Sequence, residues 1–504
     1  MNFWPILSVI TLLPLLGAIL IMLLPEKAEQ AVRAVALAST GLAGLLSVWL
    51  FVDYSHAPTS GFSYIEELAW LPRLGISYKL GVDGLSVPMI LLTGIIGFTA
   101  MLMSGDPQRP RQKEYFALAL AAISGVYGVF CSLDLFFFVL FYELASIPMF
   151  FLVGIWGSDK SGDGRNINRQ EAAMKLLLYL QLGGGLVLLG ILGLYFGSGS
   201  HTFDFTQLAQ ASFSAGWQKF LFVLLFLGFG IEAGLVPFHT WLPDGHSSAP
   251  TALSMLLAGV LLKMGGYGIL RLGVQLLPQG SQEWMKVFVV MAVVNILYGG
   301  LCALRQTDVK VMIAYSSVSH MGMVFLGVAC VNSVGQTHVL YGLSGAVFQM
   351  FSHGIITALL FALAGTIYEV THVRNLKSWG GLAAQMPFFA CLYVFAAMAS
   401  LGLPGMTGFV AELMVLIGIW QFHPAIACAA ILGLVITTTY LLRSVQFGFY
   451  GPLNPKHVEA RDANLREQVA ALMLAATTLF FGIMPGVMVA VMNPTLLEIS
   501  KGYL

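Results

Sequence analysis

Residues 253–270 read Leu-Ser-Met-Leu-Leu-Ala-Gly-Val-Leu-Leu-Lys-Met-Gly-Gly-Tyr-Gly-Ile-Leu, an apolar run with one lysine, Lys263, inside it. Spanning the ~30 Å of a bilayer's hydrocarbon core at about 1.5 Å per residue takes about 20 mostly apolar residues. This stretch and its flanks meet that length, so the lysine sits at membrane depth. A charge placed there costs at least ~2.5 kcal/mol on insertion scales, which makes an intramembrane ionisable residue a functional-site hypothesis by default.

The rest of the chain is of the same kind. Of 504 residues 58% are apolar and only 10% charged, with 24 Lys+Arg balanced by 24 Asp+Glu. Soluble domains carry about a quarter of charged residues, so the composition is that of an integral membrane protein. A net charge of zero offers no basic patch for a nucleic acid. The five cysteines, Cys131, Cys302, Cys330, Cys391 and Cys428, are scattered singly through apolar stretches. They encode neither a disulfide framework nor a zinc or iron–sulfur site, so no cofactor or metal is expected and any redox chemistry belongs to another chain.

Fourteen apolar runs are counted, near residues 3–24, 31–53, 83–104, 115–133, 135–156, 172–197, 218–241, 249–275, 286–304, 309–331, 337–368, 386–420, 425–449 and 468–491. The expected fold is an all-α polytopic membrane protein of about fourteen helices. The seventh, eleventh and twelfth runs are long or interrupted, as at Pro237 and at Gly402-Leu403-Pro404-Gly405. Broken helices survive in a membrane only where protein or water satisfies the freed backbone groups. The breaks in runs seven and twelve each follow three helices, which begin near Tyr115 and Lys286. That spacing divides the chain into N-terminal helices 1–3 (1–114), a first repeat of helices 4–8 (115–275), an inverted repeat of helices 9–13 (286–450) and a C-terminal helix 14 (451–504). Two inverted five-helix repeats with broken helices 7 and 12 are a transporter signature.

Seventeen basic residues, from Lys27 to Arg466, fall in one set of loops, and six, Arg73, Lys79, Lys219, Arg271, Lys286 and Lys501, in the other. The positive-inside bias puts the first set in the cytoplasm and both termini outside, in a cell inner (plasma) membrane or its counterpart in an energy-transducing organelle. The first run is taken as a membrane helix rather than a cleaved signal, since no Lys or Arg precedes it. The stretch from Ser158 to Asn168 reads as a solvated cytoplasmic insertion.

Lys263 has company at depth: Glu143, Glu232, His320, His353 and Glu412 lie in five other apolar runs. Six such groups cannot all face lipid, so they are expected to face one another or water and to line an ion path. Desolvation penalises the charged form of any buried ionisable group, which is what lets such groups exchange protons near neutral pH. A buried histidine is as readily a hydrogen-bonded structural residue, and that reading stands beside this one for His320 and His353. The group His239, Asp244 and His246 reads as a helix end at the water boundary or, less favoured, as a metal site.

Val236-Pro-Phe-His-Thr-Trp-Leu-Pro-Asp-Gly-His246, Ala249-Pro-Thr-Ala252, Leu261-Leu-Lys-Met264, Thr307-Asp-Val-Lys310 and Ile313-Ala-Tyr-Ser-Ser-Val-Ser-His-Met-Gly322 together resemble the proton-translocating, antiporter-like family of respiratory complex I. The stretch Leu403-Pro-Gly-Met-Thr-Gly-Phe-Val-Ala-Glu412, with its glutamate, and the chain's end soon after helix 14 are similar to the M, or chain-4, branch rather than to L or N. The resemblance implies a subunit of an NADH:quinone oxidoreductase that carries protons while NADH and quinone are bound by other subunits, with L-like and N-like neighbours in the membrane. It implies proton-transfer roles for Glu143, Lys263, His320, His353 and Glu412.

One departure stands out. Where the family has a lysine in helix 7, this chain reads Ile231-Glu232-Ala233-Gly234. A shared-proton pair of Glu232 with Glu143 is expected in place of an ion pair, with a pairing to Lys263 as the rival. Two other assignments stay open at this point: a subunit of a multisubunit cation/proton antiporter or membrane-bound hydrogenase, and a structural subunit that has lost transport.

Overall fold

The computed structural model describes residues 5–105, 110–159, 168–333, 335–457 and 460–503. Its helices are α1 (Ile6–Leu23), α2 (Glu29–His56), α3 (Ser86–Met103), α4 (Gln112–Cys131), α5 (Leu135–Trp156), α6 (Arg169–Gly197), α7a (Ala215–Glu232), α7b (Trp241–Ser248) and α8 (Thr251–Val274). They continue with α9 (Pro278–Arg305), α10 (Val309–Ala329), α11 (Gln336–Thr371), α12a (Pro387–Ser400), α12b (Thr407–Phe422), α13 (Pro424–Phe449), α14a (Leu465–Ile483) and α14b (Pro485–Lys501). Among the described residues twelve helices are long and apolar enough to cross a membrane, and thirteen spans result if α14a and α14b, bent by 73°, are one. Fourteen is reached only by taking the two shorter apolar helices α12a and α12b as a single interrupted crossing. The insertion expected at Ser158–Asn168 falls mostly on residues outside those described.

Polar side chains set the helix starts, because the first turn of a helix leaves N–H groups without intrahelical partners. Asp134 caps α5, Asn168 caps α6, Ser214 caps α7a and Asp308 caps α10. Asn464 and Glu467 form a reciprocal capping box at the start of α14a. The most apolar stretches of α8 and α11 are wholly enclosed by protein, whereas α13 keeps only 33% of its stretch buried. A helix apolar all round belongs in the middle of a bundle, so α8, α10 and α11 form the centre and helices such as α1, α6 and α13 the lipid-facing sheath.

The all-helical expectation missed a hairpin. Strands β1 (Ser63–Leu71) and β2 (Ile76–Val82) pair antiparallel on one face of the bundle. Glu66 on β1 accepts from the backbone N–H groups of Leu7 and Ser8 at 2.7 and 2.9 Å and so closes the open end of α1. Lys79 on β2 reaches Asp204 at 2.7 Å and Glu67 at 3.3 Å. Burial works against the Asp204 carboxylate, but hydrogen bonds from Lys79 and Thr206 outweigh it and hold its pKa below the ordinary value. The chain's other end comes to the same face: the Tyr503 hydroxyl donates to the carbonyl of Val274 at 2.7 Å, where α8 ends.

Four basic residues counted as solvated loop charges, Lys79, Arg271, Lys310 and Arg374, are buried instead. Arg271 lies inside α8 at 3% exposure and Lys310 in the first turn of α10 at 3%. Hydropathy alone cannot see this, because each is close to the end of an apolar run where a long side chain could equally reach water.

Candidate proton-transfer site

Helix α8 is not a regular α-helix. Leu257–Leu261 and Ile269–Val274 are wound as π-helix on either side of the segment carrying Lys263, an irregularity concentrated at functional sites. The Lys263 ammonium donates to the carbonyl of Ala258 in the first π segment and lies 2.8 Å from Nδ1 of His353 on α11. Lys263 is 0% exposed and, among the described residues, has no carboxylate in its hydrogen bonds.

From there a line of ionisable groups runs across the bundle. The rings of His353 and His320 lie 5.5 Å apart between centroids, and Nε2 of His353 has no partner among the described residues. On α10, His320 Nδ1 is 3.4 Å from Oε1 of Glu412 on α12b and 3.3 Å from the Gln349 amide, while its Nε2 is 3.3 Å from the Ser400 hydroxyl. All four ionisable residues of the line are buried. The break before α12b gives Glu412 its room: Gly402 has φ +80°, and a Cβ there would come within 2.7 Å of Glu412 Oε2. Groups within hydrogen-bond reach, or one short rearrangement from it, are what stepwise proton transfer needs.

The opposite side of Lys263 leads to a cavity that the sequence reading did not foresee. His246, at the end of α7b, is 0% exposed and stacks on Phe361 at 4.6 Å with an interplanar angle of 12°. Neither ring nitrogen has a partner among the described residues, and the imidazole lies within electrostatic reach of both Lys310 and Lys263. Lys310 donates to the carbonyl of Ala249 at 2.9 Å, and Arg374 donates to that of Ser247 while lying 3.5 Å from Asp308. The carbonyl end of a helix attracts cations, so the two basic side chains gather where α7b stops. Lys310, Arg374 and Glu369 line a cavity of about 370 Å³ on the face opposite the hairpin. The His in the motif Leu-Pro-Asp-Gly-His246 was the available signal; only the third dimension shows what it stands between.

Glu143 and Glu232 are not joined. Tyr142 and Glu143, adjacent on α5, take different hydrogen-bond partners, although both approach Gly184 of α6. The Tyr142 hydroxyl donates to Glu232 Oε2 at 3.0 Å in the buried interior, and Oε1 of Glu232 has no hydrogen-bond partner among the described residues. Glu143 instead accepts from the Gln181 amide of α6 at 2.6 Å and borders an apolar groove that includes Leu188 and Leu192. In place of the expected shared-proton pair, no direct hydrogen bond joins the two carboxylates among the described residues, and Lys263 is not hydrogen-bonded to Glu232 either. Tyr142 was missed because nothing in an aromatic-rich run marks one tyrosine as a donor.

The possible metal group dissolves in the same way. Asp244 takes Lys175 at 2.7 Å, and among the described residues no group of three or more His, Cys, Asp or Glu side chains is placed to hold an ion.

A bundle with interrupted helices and a buried line of Lys, His and Glu at its centre defines a membrane protein of the antiporter-like class. The comparisons agree. Residues 132–437 match the family model for NADH:quinone oxidoreductase/Mrp antiporter membrane subunits. The chain is 40% identical to NAD(P)H-quinone oxidoreductase chain 4 of Synechococcus elongatus, over 96% of this chain and 89% of the relative. It is 34% identical to NADH-quinone oxidoreductase subunit M of Rickettsia prowazekii, over 95% and 96% respectively. A chain of the Thermus thermophilus respiratory complex I superposes with a TM-score of 0.87 at 28% identity, covering 99% of this chain and all of that one. The chain belongs to the NADH:quinone oxidoreductase/Mrp antiporter membrane-subunit family.

Proposed function

We propose that this chain is a proton-translocating subunit of M, or chain-4, type in the membrane arm of a complex I-type oxidoreductase that passes electrons from NADH or a related donor to quinone. The relatives' names and the Thermus likeness support the assembly. The observation that carries the transport role is the 2.8 Å contact of Lys263 with His353, from which the line continues to Glu412. Redox centres are assigned to the neighbouring subunits, because the scattered cysteines offer none here. L-like and N-like chains are the membrane neighbours in this reading.

Protons enter from the cytoplasm through the cavity at Lys310, pass by His246 to Lys263, and continue by His353 and His320 to Glu412, which releases them outward. The hairpin face, with both termini, is the outer face, supported by the bias of basic residues toward the other side. The breaks after Glu232 and after Ser400 support the two inverted repeats, 115–275 and 286–450. Glu232 with Tyr142, and Glu143 with Gln181, are side stations of the same path.

The test is isolation of the tagged chain from its native membrane in mild detergent. Co-isolation of redox subunits with donor-driven quinone reduction is the expected result. An assembly of cation/proton antiporter or hydrogenase subunits, without quinone reduction, would refute it.

A further inference from the structure

Lys263, Tyr267 and Arg271 follow one another at intervals of four along α8 and so share one face of it, leading from the central lysine toward the hairpin. The Tyr267 hydroxyl shares a hydrogen bond with the Ser86 hydroxyl at 3.1 Å, and Ser86 donates to Asp83 Oδ1 at 3.2 Å. Hydroxyl, hydroxyl and carboxylate make a string that can pass protons on. It ends close to the hairpin face, where Gly84 N–H donates to Thr495 at 2.9 Å and Thr495 approaches the Thr59 carbonyl at 3.5 Å.

Arg271 closes that string. Its Nη1 and Nη2 donate to the two oxygens of Asp83 at 2.7 and 2.6 Å, Nη2 also to Ser86 at 3.2 Å, Nη1 to Gln275 at 3.0 Å, and Nε to the Tyr267 hydroxyl at 3.2 Å. The rings of Phe62, Tyr267 and Phe205 lie 5.1, 5.2 and 5.5 Å from the guanidinium carbon. Arg271 and Asp83 are 3% and 2% exposed. As a bracing device such a pair is a weak choice, because apolar residues of the same volume usually stabilise a buried site as well or better. As a proton barrier it is a strong one. A guanidinium has donors only and does not release its proton, so it cannot relay, and it occupies both oxygens that would otherwise receive one.

We propose that Arg271, clamped on Asp83 and enclosed by Phe62, Phe205 and Tyr267, is the barrier that stops protons leaking between the hairpin face and the Lys263 station. The proposal rests on Lys263 being a proton-carrying station. Without the clamp, Asp83 accepts a proton from water on the hairpin face and passes it through Ser86 to Tyr267, whose own proton goes to the unprotonated amine of Lys263 one turn back along α8, each hydroxyl giving up one proton as it gains another.

The test uses the whole complex in proteoliposomes without donor or quinone, with a potassium diffusion potential imposed and internal pH followed by a dye. Arg271→Gln frees Asp83, and Arg271→Lys keeps the charge in a group that can release its proton. Both variants should raise the passive proton conductance about tenfold, equal to about 1.4 kcal/mol of barrier. Adding Asp83→Asn to Arg271→Gln removes the carrier and should return the conductance to the native level. Tight single variants overturn the proposal, as does a double variant that leaks as much as Arg271→Gln, the result expected of a mere packing defect. Should Arg271→Gln fail to assemble, Arg271→Lys decides alone. Combining Arg271→Lys with Lys263→Met separates the two readings: loss of the leak upholds both, while a leak that persists overturns the barrier toward Lys263 and leaves the role of Lys263 in pumping to its own variant.

Discussion

Replacing Lys263 by methionine removes the proton carrier and keeps the volume, and the structure says what this costs. Two partners are orphaned, His353 Nδ1 and the Ala258 carbonyl, at about 1–3 kcal/mol each. Against this stands the relief of burying an ammonium that has no carboxylate to pair with, which is worth several kcal/mol. The two sums nearly cancel, so the variant should assemble. Its proton-transfer step should not survive, since a positioned acid–base group contributes about a hundred- to ten-thousand-fold. Lys263→Arg sharpens the point: it preserves the charge but holds its proton, so it should be as inactive as methionine. The assay is donor-driven proton uptake by inverted membrane vesicles, divided by the rate of quinone reduction and by the amount of assembled complex. A methionine or arginine variant that assembles and pumps at the native ratio would show that Lys263 serves charge or packing and that the path runs elsewhere.

If Glu232 and Glu143 are separate stations, Tyr142→Phe should shift only the carboxyl band of Glu232 in vibrational difference spectra, and Gln181→Ala only that of Glu143; bands that move together would restore the shared-proton pair. The hairpin clasp of Lys79 and Asp204 carries a pH signature. The pKa of Asp204 is lowered on folding, so its contribution is present above the unfolded value of about 3.9 and disappears as pH falls through the folded one. Hydrogen exchange of the β2 amides should therefore accelerate in acid, and Asp204→Asn should abolish that acid limb. Tags near Asn454 should be reachable only from the cytoplasmic side and tags at either terminus only from outside; a C-terminus reachable from the cytoplasm would sink the assigned orientation and the inverted repeats together.

Much of the fold was legible because a membrane helix announces itself by length and apolarity, and breaks by Pro and Gly: the interruptions at Pro237 and at Gly402–Gly405 appear where the sequence places them. The β1–β2 hairpin was not, since it lies in a loop where hydropathy has nothing to say and where alternation is lost because β1 is largely exposed and β2 largely buried along their lengths. The four members of the central line were found as charges in apolar runs, a signal that owes nothing to the neighbours they meet. Which charges meet was not legible. Glu143 and Glu232 were expected to share a proton and instead bond Gln181 and Tyr142, because a shift of one residue along α5 turns a helical side chain by about 100° and puts Tyr142, not Glu143, on the Glu232 carboxylate. His246, Lys310 and Arg271 were assigned to helix ends or loops, since their positions near run boundaries fit a solvated reading as well as a buried one. Only the packing of α7b against α11, and of α8 against α3, distinguishes the two.

The central claim is that the buried line ending at Glu412 moves protons in step with quinone reduction elsewhere. Glu412→Gln keeps the shape and the contact with His320 but removes the titrating group, so the most direct measurement is the number of protons translocated per electron pair by the purified complex in proteoliposomes, native against Glu412→Gln. A lower ratio in a complex that still assembles and reduces quinone is the predicted result; a ratio equal to the native one would contradict the account.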